Sequence, residues 1–195
     1  MVKIDEFKDF HPSSRQEWRD WLEENHDQAD GIWFVYFKKS ANKPRVSYDE
    51  AVEEALCFGW IDSLPRKMDE RRSKLLFTPR KPRSVWSKLN KTRVEKLMAD
   101  GAMTAIGLAK IEAAKKDGSW NVLNASDNLE MPADLLEAFE RNKTAQVNFE
   151  AFTESVRRVI LSWIFSAKRD ETRTARVEKT VTMAAVNKRA NFDKE

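Results

Sequence analysis

Between Phe77 and Arg93 the chain reads Phe77-Thr78-Pro79-Arg80-Lys81-Pro82-Arg83-Ser84-Val85-Trp86-Ser87-Lys88-Leu89-Asn90-Lys91-Thr92-Arg93, which gathers cations, hydroxyls, an indole and an amide. An Arg fork matches carboxylate or phosphate geometry, and Lys supplies a compact point charge. A helix opening at Ser84 would add backbone N–H donors and a positive dipole end, with the Asn90 amide one turn beyond Trp86. The chemistry such residues suit is anion binding. Arg80, Lys81, Trp86, Ser87, Asn90 and Arg93 are the ligand-binding candidates, with Trp60 and Asp62 on the wall of the same basic groove. The plainer alternative makes Phe77 and Trp86 core residues and the charges a solvated helix face. Asp62-Ser63, directly after Gly59-Trp60-Ile61, carries a second chemistry: beside Arg66 or Arg80 its carboxylate can serve as a general base or as a structural ion-pair partner.

Charge is concentrated around these residues. From Leu64 to Leu97, twelve Lys and Arg stand against three acids, +9 in a chain whose net charge is +3, so the remainder sums to −6. A chain that separates its charge in this way presents a basic face to an anionic partner. Other chemistries lack their residues. His11 and His26 have no Cys or carboxylate at metal-ligand spacing. Five glycines in all include no phosphate loop and no paired dinucleotide-binding glycines. Cys57, the single cysteine, sits between Leu56 and Phe58 and reads as a small buried hydrophobe.

The elements that position these residues are readable in turn. Ser14 with Glu17, and Ser47 with Glu50, are capping boxes, the first opening a helix to about His26 and the second one that Gly59 ends. Ile32–Phe37 is an unbroken apolar run that predicts a strand buried on both faces. Trp60–Leu64 and Ser73–Phe77 predict two strands joined by a basic loop. Pro79 and Pro82 impose an extended path towards a helix capped by Ser84, with Trp86, Leu89, Val94 or Arg93, and Leu97 on one face and Gly101 at its end. A helix over Thr104 to Lys116 follows. The residues Asn121–Glu130 read as a linker, and Pro132 begins another helix. Phe149, Phe152, Val156, Val159, Ile160 and Trp163 form a stripe along one helix from about Thr144 to Ala167, and Asp170 caps a last helix to complete a hairpin. Its turn, with Lys168-Arg169 and Arg173, reads either as a second interaction surface or as a capped hairpin with local ion pairs.

Four stretches in order carry a family resemblance: Glu17-Trp18-Arg19-x-Trp21-Leu22; Glu53-Glu54-Ala55-Leu56-Cys57-Phe58-Gly59-Trp60-Ile61-Asp62-Ser63; Phe77-x-Pro79-Arg80-Lys81-x-x-Ser84-x-Trp86-Ser87-x-x-Asn90-x-x-Arg93-Val94; and Ile164-x-x-Ala167-Lys168-Arg169-x-Glu171-Thr172-Arg173. Together the chain resembles the bacterial YdeI/OmpD-associated, or bacteriocin-protection, family, and from about Pro132 onward it is similar to the OmpD-associated domain. The resemblance implies a part in bacteriocin or stress tolerance, and brings no reaction, cofactor or catalytic residue with it.

The expected fold is α+β: a small β-sheet with packed helices in the N-terminal part, then a helical region ending in a helical hairpin. The expected division is an α+β domain over 1–120, a linker over 121–131 and a helical OmpD-associated-like region over 132–195. No apolar run reaches the roughly 18 residues of a membrane span, and Met1 to Phe10 is too charged for a signal-peptide core. The expected location is the cytoplasm. The leading expectation is a non-enzymatic protein, without cofactor or metal, that binds an anionic small molecule or acidic protein surface. The alternatives are an enzyme acting on a phosphorylated or carboxylated small molecule with Asp62 as base and Arg80 as anion clamp, and a nucleic-acid binder.

Overall fold

The unbroken apolar run Ile32–Phe37 forms strand β2, and its first four residues are buried, as a strand covered on both faces requires. The structure, a computed structural model, describes residues 4–193. The chain divides into two units, residues 1–120 and 121–195. In the first, strands β1 (Asp9–Phe10), β2, β3 (Trp60–Lys67) and β4 (Arg72–Pro79) form a sheet of order β1-β2-β4-β3. β1 runs parallel to β2, and the other two pairings are antiparallel. β3 and β4 are the expected pair of strands, but β3 runs on through Pro65 to Lys67. It is an edge strand, where a residue without an N–H is tolerated, and a register shift between Asp62 and Pro65 accommodates it.

Three helices before residue 100 follow their cap residues. The Ser14 hydroxyl accepts the Glu17 N–H to open α1 (Arg15–Asn25). The expected box is incomplete, because the Glu17 carboxylate takes the N–H and hydroxyl of Ser13 instead of reaching back to Ser14. At α2 (Tyr48–Cys57) both halves of the Ser47/Glu50 box are present, and Gly59, at φ 71°, turns the chain into β3. Helix α3 (Lys88–Ala99) starts a turn later than expected, capped by Ser87 in place of Ser84. Pro82 and left-handed Arg83 (φ 62°) hold residues 81–84 in a turn, and the Ser84 hydroxyl accepts a hydrogen bond from Arg80. The later start leaves Leu89 58% exposed, so the buried face of α3 is Arg93, Val94 and Leu97 without it. Thr104 caps α4 (Ala105–Lys116).

Aromatic packing closes this unit's core. Trp18 lies 5.0 Å from Phe34 and 5.3 Å from Phe77, centroid to centroid. Its indole N–H donates to the Ala51 carbonyl, so the buried polar atom is satisfied. Glu54, also buried, accepts from both Arg15 and Arg19.

The second unit is helical: α5 (Asn124–Asp127, within the stretch expected to be linker), α6 (Ala133–Glu140), α7 (Lys143–Ala151), α8 (Glu154–Phe165) and α9 (Asp170–Ala185). The single helix expected from Thr144 to Ala167 is two. Phe152 is extended, and the Thr153 hydroxyl accepts the Val156 N–H to start α8. Phe149 and Ile160 are buried and Phe152, Val156 and Trp163 pack against the same core, whereas Val159 is 42% exposed. Asp170 is the first residue of α9 and not its cap; with Glu171 it places negative charge at the positive end of the helix. Leu135, Phe139, Phe149, Ile160 and Ile164 are fully buried or nearly so. The protein is α+β, and no described helix is long and apolar enough to cross a membrane.

In this unit Arg173 does not face outward from the hairpin turn. Its guanidinium grips Asp134 at 2.6 and 3.0 Å, and the hydrogen bond from Arg173 holds the Asp134 carboxyl below its ordinary 3.8. A depressed carboxyl contributes stability above its unfolded pKa that is lost as pH falls through the folded value. Asp134→Asn is therefore expected to cost about 1 kcal/mol near neutral pH, the upper range for a partly exposed pair. The gap to wild type should close below pH 3.8. Urea melts of both proteins at the two pH values measure this.

Candidate functional site

Arg80 follows directly from the end of β4, and its N–H donates to the Gly59 carbonyl at 2.9 Å, locking the strand end against the turn that closes α2. The side chain is 4% exposed. Its guanidinium carbon sits 3.6 Å from the Trp86 ring centroid, and Nη1 donates to the Ser84 hydroxyl and the Val85 carbonyl, both at 3.3 Å. Nε is buried with no hydrogen-bond partner. Among the described residues no carboxylate bonds this guanidinium; Asp62 acts on it through space. Burial pushes the guanidinium down to about 10, with Asp62 opposing, so Arg80 remains a cation at neutral pH. Buried charges are normally paired, because desolvation costs several kcal/mol per ion. Arg80 departs from that rule.

Beside it lies a cavity of about 90 Å³, well above the 10–15 Å³ or so that one water needs. The turn at the end of β4 contributes Arg80, Lys81, Arg83, Ser84 and Trp86 to its lining; α4 and the turn after it contribute Lys110, Asp117 and Ser119. Four cations face one acid, +3 in all. Asp117 accepts N–H groups from Ser119 at 2.9 Å and Arg83 at 3.2 Å. The nearby Ser119 hydroxyl, then its backbone N–H, hold Asp117 below the ordinary carboxylate range. That hydroxyl is itself buried and turned towards the Asp117 carboxylate. Lys110 is aimed by close packing: a Cβ on Gly59 would fall 2.6 Å from Lys110 Cγ. The same lysine borders a larger, shallower cavity of about 360 Å³ with His26, Phe58 and Trp60.

The structure brings together three of the eight sequence candidates, Arg80, Lys81 and Trp86, at the 90 Å³ cavity. A second polar cluster takes Asp62, Asn90 and Arg93. Asp62 accepts the Tyr48 hydroxyl at 2.9 Å, and burial first, then Asp62, push the Tyr48 phenol up to about 12. Arg93 pairs with Asp49, donates to Asn90 at 3.0 Å and lies over the Tyr48 ring. Ser87 is the α3 cap. Trp60 is core, 1% exposed, its indole N–H on the His26 carbonyl. Arg66, the other cation considered for Asp62, pairs with Asp5 and lies over Trp33.

Lys110, Asp117 and Ser119 escaped sequence reasoning because they lie thirty to thirty-nine positions from Arg80, on α4 and in the turn after it. The turn-forming triplet Asp117-Gly118-Ser119 was their one local signal. Cys57 is fully buried, and burial raises its thiol to about 11, so it is no nucleophile at neutral pH. Among the described residues no cluster of His, Cys, Asp or Glu could hold a metal ion.

Residues 10–110 match a family described as a domain of unknown function (DUF8412), and residues 128–187 match the family described as bacteriocin-protection, YdeI or OmpD-associated. The chain belongs to the DUF8412 family and carries a YdeI/OmpD-associated domain. No curated protein and no solved structure matches it. The DUF8412 match contains strands β2 to β4, Arg80, Trp86 and Lys110; the YdeI/OmpD-associated match contains α6 to α9.

Proposed function

We propose that this DUF8412 and YdeI/OmpD-associated protein acts in bacteriocin or stress tolerance as a non-enzymatic binder, taking an anionic ligand at the Arg80 cavity. The observation that carries the reading is Arg80, a residue only 4% exposed, whose guanidinium is stacked on Trp86, whose Nε has no partner and which no acid contacts. An anion entering the cavity would supply the missing counter-charge. The enzymatic alternative has less support, since Asp62 is engaged with Tyr48 and does not line the cavity. So does nucleic-acid binding, because Trp60 and Trp86 are each 1% exposed and offer no stacking platform.

A thermal-shift screen of the full chain against nucleotides, phosphosugars, carboxylates, anionic lipid vesicles and short nucleic acids tests this. Ligands that bind only the folded state stabilise it by about 2.7 kcal/mol at a hundredfold excess over Kd, a rise of several degrees. At least one anion is expected to produce that rise where its neutral analogue does not. Equal melting temperatures across the whole panel would refute the reading.

A further inference from the structure

We infer that the occupant of the Arg80 cavity is a compact tetrahedral oxyanion of the phosphate class, inorganic phosphate or the terminal group of a phosphate monoester, an inference that rests on the anion-binding reading above. Size is the first reason. At about 90 Å³ the cavity is far smaller than the roughly 300 Å³ at which pockets for whole organic ligands begin. It can hold a small ion or the tip of a larger molecule whose body stays outside.

Charge is the second reason. Arg80, Lys81, Arg83 and Lys110 against Asp117 leave +3 at the cavity. A monocarboxylate would neutralise one of these charges, whereas a phosphate monoester carries about −1.5 to −2 near neutral pH. Donor geometry is the third. Arg80, Lys81 and Arg83 reach the cavity from the turn after β4, and Lys110 comes from α4, a separate segment of the chain. Several donors from two segments suit an anion with oxygens in several directions better than a planar carboxylate, which one Arg fork satisfies. A phosphate diester carries a single negative charge and so offsets less of the +3 at the cavity than a monoester does.

Isothermal titration of the full chain at matched ionic strength, with inorganic phosphate, sulfate, glycerol phosphate, dimethyl phosphate and acetate, tests the inference. Phosphate, sulfate and glycerol phosphate are expected to bind saturably, with dimethyl phosphate and acetate at least about tenfold weaker, the equivalent of one lost charged hydrogen bond. Lys110→Met keeps the stem that packs on Gly59 and removes the ammonium, and should raise the phosphate Kd about tenfold. If acetate binds as tightly as phosphate, the phosphate class is overturned while the anion site stands. If no anion saturates, or if Arg80→Met binds phosphate as wild type does, both fall.

Discussion

Arg80→Met is expected to abolish the anion-dependent rise in melting temperature while changing the stability of the anion-free protein by no more than about 1 kcal/mol. Large opposing terms make that net change small. Burial lowers the guanidinium from its ordinary value to about 10, so keeping it charged costs the folded state about 3 kcal/mol, and Met removes that cost. In return Met gives up the stacking of a desolvated cation on Trp86, about 2 kcal/mol, and two long hydrogen bonds to Ser84 and Val85 worth about 1 kcal/mol or less each. Because the folded-state pKa of this cation is depressed, the unfolded chain binds more protons in the alkaline window that opens near pH 10, and wild-type stability rises with pH across that window. Below it both states are protonated and the full cost is present. Arg80→Met should lack the alkaline rise. Urea melts with and without phosphate read both effects. A loss of 3–5 kcal/mol or so, the usual result of breaking a buried pair, would show that Arg80 is a structural anchor.

Gly107→Ala is expected to destabilise the N-terminal unit by about 2–3 kcal/mol, where helix propensity alone predicts a gain of about 0.5–1 kcal/mol. Gly107 lies in the first turn of α4, and an added Cβ would overlap the Cys57 carbonyl oxygen and lie 2.8 Å from its carbon. That carbonyl already accepts the Thr104 hydroxyl at 2.5 Å and the Thr104 N–H at 3.2 Å, so it is the point at which α4 is pinned to the end of α2. It cannot retreat freely, because two residues on the Gly59 carbonyl accepts the Arg80 N–H. The helix must move instead, and it carries Lys110 and leads into Asp117 and Ser119. Weaker phosphate binding should accompany the lost stability. Chemical denaturation and titration of the one variant measure both, and a variant as stable as wild type would show that the contact at Cys57 is not tight.

Several elements were legible before any coordinates because the forces that make them act within three or four positions. Ser47 with Glu50 defines the start of α2, and the run Ile32–Phe37 is β2 to the residue. Where two local signals compete, contacts from elsewhere decide. Ser84 and Ser87 are equally good caps by type, but the Arg80 guanidinium claims the Ser84 hydroxyl and Pro82-Arg83 turns the chain, so Ser87 opens α3. The stripe from Phe149 to Trp163 keeps helical spacing along the sequence, so its periodicity concealed the cap at Thr153 that breaks it.

By itself, the sequence determined that this protein is α+β, that its positive charge gathers between Leu64 and Leu97, and that Arg80 and Trp86 stand close together within it. Types and spacings along a chain carry that information. Only the tertiary structure decided that Arg80 is buried while Lys81 is exposed, and that Asp62 turns to Tyr48. It likewise decided that Lys110, Asp117 and Ser119 complete a cavity with Arg80, thirty to thirty-nine positions away. Desolvation and the meeting of distant side chains arise from how α4 packs against the end of α2, and no local pattern encodes that packing.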